Sequence, residues 1–347
     1  MSIKLTKLQE QMLRCAEGRE RERFLARVMD YRVHDFLEAF GTSDYANLVV
    51  DAAHVKAQKE WEQAGGIWRD LVTIGPGATD FKPDNFLSAG NFAPLGVVKE
   101  LAMYPMVNVS DQKVTLQVQK RGAIFATSME ARINESLKLL GGWASKFVKA
   151  ANEALEQHVV YTMIDQNPTI YDSVALYHNG THKNDVGNAN GYTRAELILA
   201  ISKMYAQTGL GGNKITVQPK ILLVPPDKYV EAMEDVSSME KLALAGTASA
   251  PTIQGSSNAL RNLDLKVVTS PWLSTSGATD NAFYLFGDPK KQDGLLVEFL
   301  GGREAPELFS EVENSGFSFE HDAIRNKVRH VWGSAWLDYR TTVRGGV

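Results

Sequence analysis

Apolar residues return at three- and four-residue steps through the first forty positions, where Leu5, Leu8, Met12, Phe24, Leu25, Val28 and Met29 stand among Arg and Glu. That spacing predicts an amphipathic helical arm over residues 5–40. Gly41-Thr42-Ser43-Asp44 stops it and caps a second helix, in which Leu48, Val49, Ala52, Val55 and residues 57–61 run on to Gly65-Gly66. Between Trp68 and Arg121 the pattern changes. Gly75, Pro76, Gly77, Pro83, Gly90, Pro94, Gly96 and Pro105 exclude a long helix. Yet Phe81, Phe86, Leu87, Phe92, Leu95, Val97, Val98, Met103, Tyr104 and Met106 in the same stretch need burial. True linkers are polar, and this one is greasy. A projecting β-rich loop whose apolar side chains are buried by another copy of the chain resolves the conflict. Residues 107–111 and 113–118 read as its outgoing and returning strands, because Val114, Leu116 and Val118 alternate with Thr115 and Gln117.

Thr127-Ser128-Met129-Glu130 forms a capping box, its hydroxyl and carboxylate spaced to satisfy the first free amides of a helix. Leu137, Leu140, Ala144, Phe147, Val148, Ala151, Leu155, Val159 and Met163 then hold helical spacing until Asn167-Pro168. They predict a rod of roughly 30 residues, about 45 Å long, with Gly141-Gly142 as a kink site near its start. Beyond Pro168 the pattern is that of an α/β domain. A polar Gly and Asn stretch occupies 179–191, with a helix at 193–206, a strand at 221–224 and a helix at 227–236. Residues 246–258 are small and polar and read as a surface loop. Strands are predicted at 265–268, 282–286 and 295–300, and two more at 317–331 and 335–343, with Asp288-Pro289 and Gly301-Gly302 as turns.

The 347 residues allow about two domains. With 44% hydrophobic and 22% charged residues, collagen-like, disulfide-scaffold and wholly disordered chains are excluded. The 37 Lys and Arg against 41 Asp and Glu give a formal net charge of -4, so bulk charge does not favour tight nucleic-acid binding. Cys15 is the single cysteine, which rules out an internal disulfide and a Cys-based zinc site and suits a reducing cytosol. No apolar run approaches the roughly 18 residues of a transmembrane helix, and the N-terminus has no signal-peptide pattern, so a soluble, unexported protein without a membrane partner is expected.

The chemical motifs have structural readings that outweigh the functional ones. His178 and His182 are four apart, but Asn179-Gly180-Thr181 between them is turn chemistry. Asp172, Ser173 and His178 have the residue types of a triad without a nucleophile elbow around the serine. Gly209-Leu210-Gly211-Gly212-Asn213-Lys214 resembles a phosphate loop, yet Lys214 is followed by Ile215 and the next element reads as a strand. Glu311, Glu313, Glu320 and Asp322 are expected on a solvated strand face, paired across an antiparallel ladder with Arg325, Lys327 and Arg329. No catalytic residue, cofactor site or metal site is expected.

Several segments, in order, resemble the major capsid proteins of tailed phages with the Hong Kong 97-type fold, especially the Mu-like head subunits. Asp80-Phe81-Lys82 followed by Leu95-Gly96-Val97-Val98-Lys99-Glu100 is similar to the entry into that family's extended loop. The run from Gln119-Lys120-Arg121-Gly122 through Ile124-Phe125-Ala126 to Arg132-Ile133-Asn134 resembles the return into its spine helix. Leu176-Tyr177-His178 with His182 and Asn184, Tyr284-Leu285-Phe286-Gly287-Asp288-Pro289, and the closing segment around Trp332-Gly333-Ser334-Ala335-Trp336 resemble later parts.

The resemblance implies an α+β, Hong Kong 97-like capsid fold. Its parts would be an N-terminal arm and helices at 1–71, an extended β-hairpin loop at 72–118 and a peripheral domain with a long spine helix at 119–170. An axial α/β domain at 171–280 and returning strands at 281–347 would follow. The implied function is self-assembly into pentamers and hexamers of an icosahedral shell around double-stranded DNA, without sequence-specific binding. Portal, scaffold or decoration proteins are the implied partners, the virion capsid the location, and the host cytoplasm the place of assembly. Phe81, Phe86, Phe92, Leu95 and Tyr104 are the candidate assembly interface. Two alternatives stand beside this reading: an encapsulin-like nanocompartment shell, and a hydrolase using His178, His182 and Asp172.

Overall fold

The computed structural model describes residues 57–89, 97–100, 103–104, 111–128, 143–187, 191–247, 250–273, 282–311, 316, 320–321 and 323–346. It is a mixed α+β structure that divides into two compact units. The expected helical arm and the Gly141-Gly142 kink lie outside the described residues; of the expected capping box, Thr127 and Ser128 end the strand Gln119–Ser128 instead of capping a helix there, and Met129 and Glu130 lie outside.

One unit draws on residues 1–65, 119–154 and 303–332. Its centre is the long strand β12 (Ala323–Trp336), flanked antiparallel by β11 (Glu307–Ser310) and by β4 (Gln119–Ser128). Leu308 pairs with Val328 on one side, and Gly122 opposes Arg329 on the other. At Gly122 the backbones approach so closely that a Cβ would collide with the Val328 carbonyl, which is why the strand carries glycine there. The ladder is laced by charge as the residue types predict. Arg325 donates to both oxygens of Glu311 at 2.8 Å, and Arg329 Nε donates to Glu307 at 2.7 Å. Lys327 lies over the Phe309 ring at 4.7 Å. Glu313 and Asp322 lie outside the described residues. Beneath the ladder, the Arg121 guanidinium covers the buried Trp332 ring at 3.5 Å and donates to the Trp332 carbonyl at 2.9 Å. Trp61, from the helix at 57–63, meets His330 edge-on at 5.1 Å.

The other unit draws on residues 66–118, 155–302 and 333–347. It holds a mixed four-stranded sheet in the order β13 (Thr342–Gly345), β9 (Phe283–Gly287), β5 (Pro219–Val224), β8 (Lys266–Thr269); only the β5–β8 pair is parallel. Strand periodicity sorts its side chains. Leu222, Val224, Phe283, Leu285 and Val343 join one buried cluster with Leu197, Ala200, Ile201 and Met204 of one helix and Ala232 and Val236 of another. Those helices are α2 (Arg194–Tyr205), capped by the Thr193 hydroxyl, which accepts from the Glu196 amide, and α3 (Tyr229–Ser237). The alternate residue Tyr284 points away from this cluster, donates to the buried Asp165 at 2.9 Å and packs against Tyr177.

The rod predicted through Met163 is α1 (Trp143–Gln157), which widens without a break into a π-helix at His158–Asp165. Its last turn closes by a bond from the Gln166 amide to the Tyr161 carbonyl, five residues back. Three other expectations need correction. The stretch 246–258 is not an irregular loop: β6 (Glu240–Thr247) and β7 (Ala250–Ser257) form an antiparallel ribbon. Small residues without apolar alternation hid it. The predicted break between 331 and 335 is absent because β12 runs straight through Gly333, where a Cβ would stand 2.5 Å from the Gln117 carbonyl. That glycine marks a close approach, not a turn. The strand that pairs with the returning arm of the loop is β2 (Asp84–Ala89), and Asp111 belongs to the returning strand β3 (Asp111–Leu116); residues 107–110 lie outside the described ones.

Burial, countered by the bond from its ring to the Glu304 carbonyl and reinforced by the Arg121 cation, pushes the His330 imidazole down from 6.5 to about 4. The folded chain therefore holds the neutral ring and the unfolded chain takes the proton. This contribution is complete above pH 6.5 and fades as pH falls towards 4. In urea titrations the protein should lose about 3 kcal/mol more between pH 7 and pH 4 than His330→Gln does. Equal losses would contradict this account of the ring.

Candidate functional site

The apolar excursion is rooted where β1 (Val72–Ile74) runs parallel to β10 (Leu295–Phe299), with Val72 beside Leu295 and Ile74 beside Val297. The chain then turns through Gly75-Pro76-Gly77 and stays tied to β10: the Gly75 amide donates to Val297 at 2.9 Å and the Ala78 amide to Phe299 at 3.1 Å. From this root it leaves as the β2–β3 hairpin, in which Phe86 opposes Val114 and Leu87 opposes Lys113.

The hairpin has two unlike faces. Gln112, Val114 and Leu116 alternate inward and are buried within the unit, and Gln112 donates to the Leu337 carbonyl. Phe86 shares that face and is half-buried. The opposite face carries Lys113, Thr115 and Leu87, the last 74% exposed. Beyond the hairpin Val97 is fully exposed, Met103 is 94% exposed and Tyr104 is 83% exposed; Phe81, at the approach to β2, is 49% exposed. Of the five interface candidates, then, Phe81 and Tyr104 face solvent and Phe86 leans on its own unit, while Phe92 and Leu95 lie outside the described residues. Leu87, Val97 and Met103 were part of the greasy stretch but not singled out, although their exposure exceeds that of Phe81. A cleft of about 590 Å³ runs beneath the hairpin, bordered by Phe86, Val114, Lys214, Val217 and Arg340.

The residues of the hydrolase alternative do not form its machinery. Asp172 Oδ2 stands 2.6 Å from His182 Nε2, and Nδ1 of the same ring donates to the Leu176 carbonyl at 2.9 Å. Both nitrogens are engaged, so none is left to take a proton from Ser173. The ring is buried and stacks on Tyr339 at 3.8 Å. Nδ1 of the exposed His178 accepts from the Thr181 amide at 2.9 Å, closing a local turn. Asn184 completes the knot, its side chain accepting from the His178 amide and donating to the Leu176 carbonyl. The cluster pins one loop. The Gly-rich stretch before Lys214 is likewise a turn, closed by the Gly209 amide on the Asn213 carbonyl at 2.7 Å. Among the described residues, no group of three His, Cys, Asp or Glu is placed to hold a metal ion, and no helix is long and apolar enough to cross a membrane.

What the described residues present is a two-unit α+β subunit with an exposed apolar excursion. The model of the family described as phage capsid protein matches residues 111–345, more than half of the chain. The chain belongs to the phage capsid protein family and is accordingly a structural protein, not an enzyme. Its place is the capsid of the virion. Its fold is similar to that in the capsid structure of the cyanophage P-SCSP1u, with a TM-score of 0.53 at 11% identity over 81% of this chain and 88% of that one. It is also similar to a chain from Microbacterium phage Oxtober96, with a TM-score of 0.50 at 10% identity over 78% of this chain and 85% of that one. None of the curated proteins matches.

His182→Ala should cost about 2 kcal/mol in chemical denaturation by removing a buried ring that stacks on Tyr339 and bonds to the Leu176 carbonyl, with no ester hydrolysis detectable before or after. Turnover that disappears in the variant while stability is kept would restore the enzyme reading.

Proposed function

We propose that the chain is the major head subunit of a Hong Kong 97-like shell, closing into pentamers and hexamers that tile an icosahedron around double-stranded DNA. In motif order it resembles the Mu-like head subunits. In this reading residues 1–71 are an arm, 72–118 the extended loop, 119–170 a peripheral domain with the spine helix, 171–280 an axial domain, and 281–347 the returning strands. Portal, scaffold or decoration proteins are the further partners, with assembly in the host cytoplasm.

The observation that carries the proposal is the exposed apolar side of the excursion, with Leu87, Met103 and Tyr104 in water. Large apolar side chains gathered on one projecting element mark an interaction surface. Covering them supplies approximately 25 cal/mol per Å² before the costs of association. Together with Phe81, Phe86, Phe92 and Leu95 they form the proposed interface with a neighbouring copy. Unlike surfaces that meet head to tail close into rings when the rotation permits, and overlapping loops then join ring to ring. A chain of net charge -4 suits a container: it does not grip packaged phosphates whose charge counterions already balance.

The encapsulin-like compartment shares the expected architecture and differs in content. Electron microscopy of purified particles separates the readings: closed shells with DNA support the phage head, shells with protein cargo support the compartment, and a persistent monomer defeats both. Deleting residues 75–105 should leave a folded subunit that forms no stable shell. The milder Leu87→Ser/Tyr104→Ser pair should leave the melting temperature of the free subunit within about 2 °C and lower shell yield in sedimentation. Undiminished shells from either variant would overturn the role assigned to the loop.

A further inference from the structure

Glu298 is the one charged residue in the apolar strand β10, and it is 2% exposed. It lies directly under the turn from which the excursion departs. A Cβ on Gly75 would stand 2.6 Å from both Cγ and Oε1 of Glu298, so the side chain fills the place that any other residue at 75 would need. Gly77, held at φ +103, has its own missing Cβ blocked by the Gly302 backbone. Oε2 is buried with no hydrogen-bond partner among the described residues. A buried acceptor left open at the root of a projecting element is costly when charged and needs a reason.

We propose that Glu298 is an acid-responsive latch: its protonation state sets how firmly the Gly75-Pro76-Gly77 turn is held on β10, and hence how rigidly the excursion is presented to a neighbouring copy. The latch itself rests on geometry. Its consequence for assembly rests on the shell reading above. The charged group acting on Glu298 is Asp84, the first residue of β2 and a second anion; Val72, Thr73 and Ile74 of β1, the turn above, and Val297 and Phe299 beside it carry no titratable side chain. Burial first, and then Asp84, hold the carboxyl above its ordinary 4.5, against the opposing pull of the Gly77 amide. The folded chain therefore favours the protonated form. The stabilisation is complete below pH 4.5 and is lost as pH rises through the raised value. Glutamine at this position keeps the size and shape of the side chain and has no charge to bury.

Hydrogen exchange on the unassembled full-length subunit reads the latch directly. In the wild type, protection of the Gly75, Gly77 and Ala78 amides, corrected for intrinsic rates, should fall from pH 4.5 to pH 7.5. In Glu298→Gln it should stay at the higher value throughout. An equal fall in the variant would overturn the proposal. A second pair of variants tests the geometry without relying on titration. Gly75→Ala should lower the melting temperature in the wild-type background and do so far less in Glu298→Ala, where its methyl has room; additive effects would refute the contact. Both readouts are taken on the free subunit, so failure to form shells counts against the function and leaves the latch result standing. If the latch works in solution, light scattering should show faster assembly of the wild type at pH 5 than at pH 7.5, and equal rates for Glu298→Gln.

Discussion

A shell subunit works under one constraint: it must fold by itself while leaving uncovered the apolar surface that will hold it to its copies. In the proposed assembly the β2–β3 hairpin meets this by dividing its two faces. Val114 and Leu116 are buried in their own unit and fix the hairpin, while Leu87 on the other face and Met103 and Tyr104 beyond it stay in solvent. Strand alternation makes the division sharp, since each step along the backbone turns a side chain to the opposite face. A helix could not separate them so cleanly over so few residues.

Everything on which the hairpin stands is accordingly stiff. Its root is bonded along β10, with glycine at the closest approach, and Glu298 beneath it is the only point where charge enters that strand. The four-stranded sheet behind α2 and α3 is packed with wholly buried Leu222, Val224, Phe283 and Leu285. Polar knots such as Asp172, His182 and Asn184, or Arg325 with Glu311, hold loops and strands in register and have no chemistry to perform. The family of phage capsid proteins agrees with this division of labour, because a container acts through its contacts.

The periodic parts were legible in the residues. Thr193 announces α2, the apolar runs announce β5, β9 and β10, and Arg325, Lys327 and Arg329 at alternate positions announce β12, whereas its partner β11 was not read as a strand. What stayed hidden depends on partners distant in sequence. Asp84–Ala89 has no strand pattern of its own and becomes a strand by pairing with Asp111–Leu116. Gly333 resembles a break until the Gln117 carbonyl is seen against it. The turn and returning strand of the ribbon Glu240–Thr247 with Ala250–Ser257 are mostly small and polar residues with no apolar alternation. Of the site, the greasy stretch was visible in sequence, but which of its side chains the subunit keeps for itself was not. Val114 against Leu87 is settled only by the hairpin register. The lone acid in Leu-Leu-Val-Glu-Phe was a signal that pattern reading passed over.

The central claim is that the outward face of the excursion is buried by sister copies. Hydrogen exchange with mass spectrometry, comparing free subunit with assembled particle, tests it most directly. The account predicts strong new protection across residues 84–89 and 97–104 on assembly, with little change in β5 and β9, which are protected in both. Exchange in 84–89 and 97–104 that is as fast in the particle as in the free subunit would contradict it.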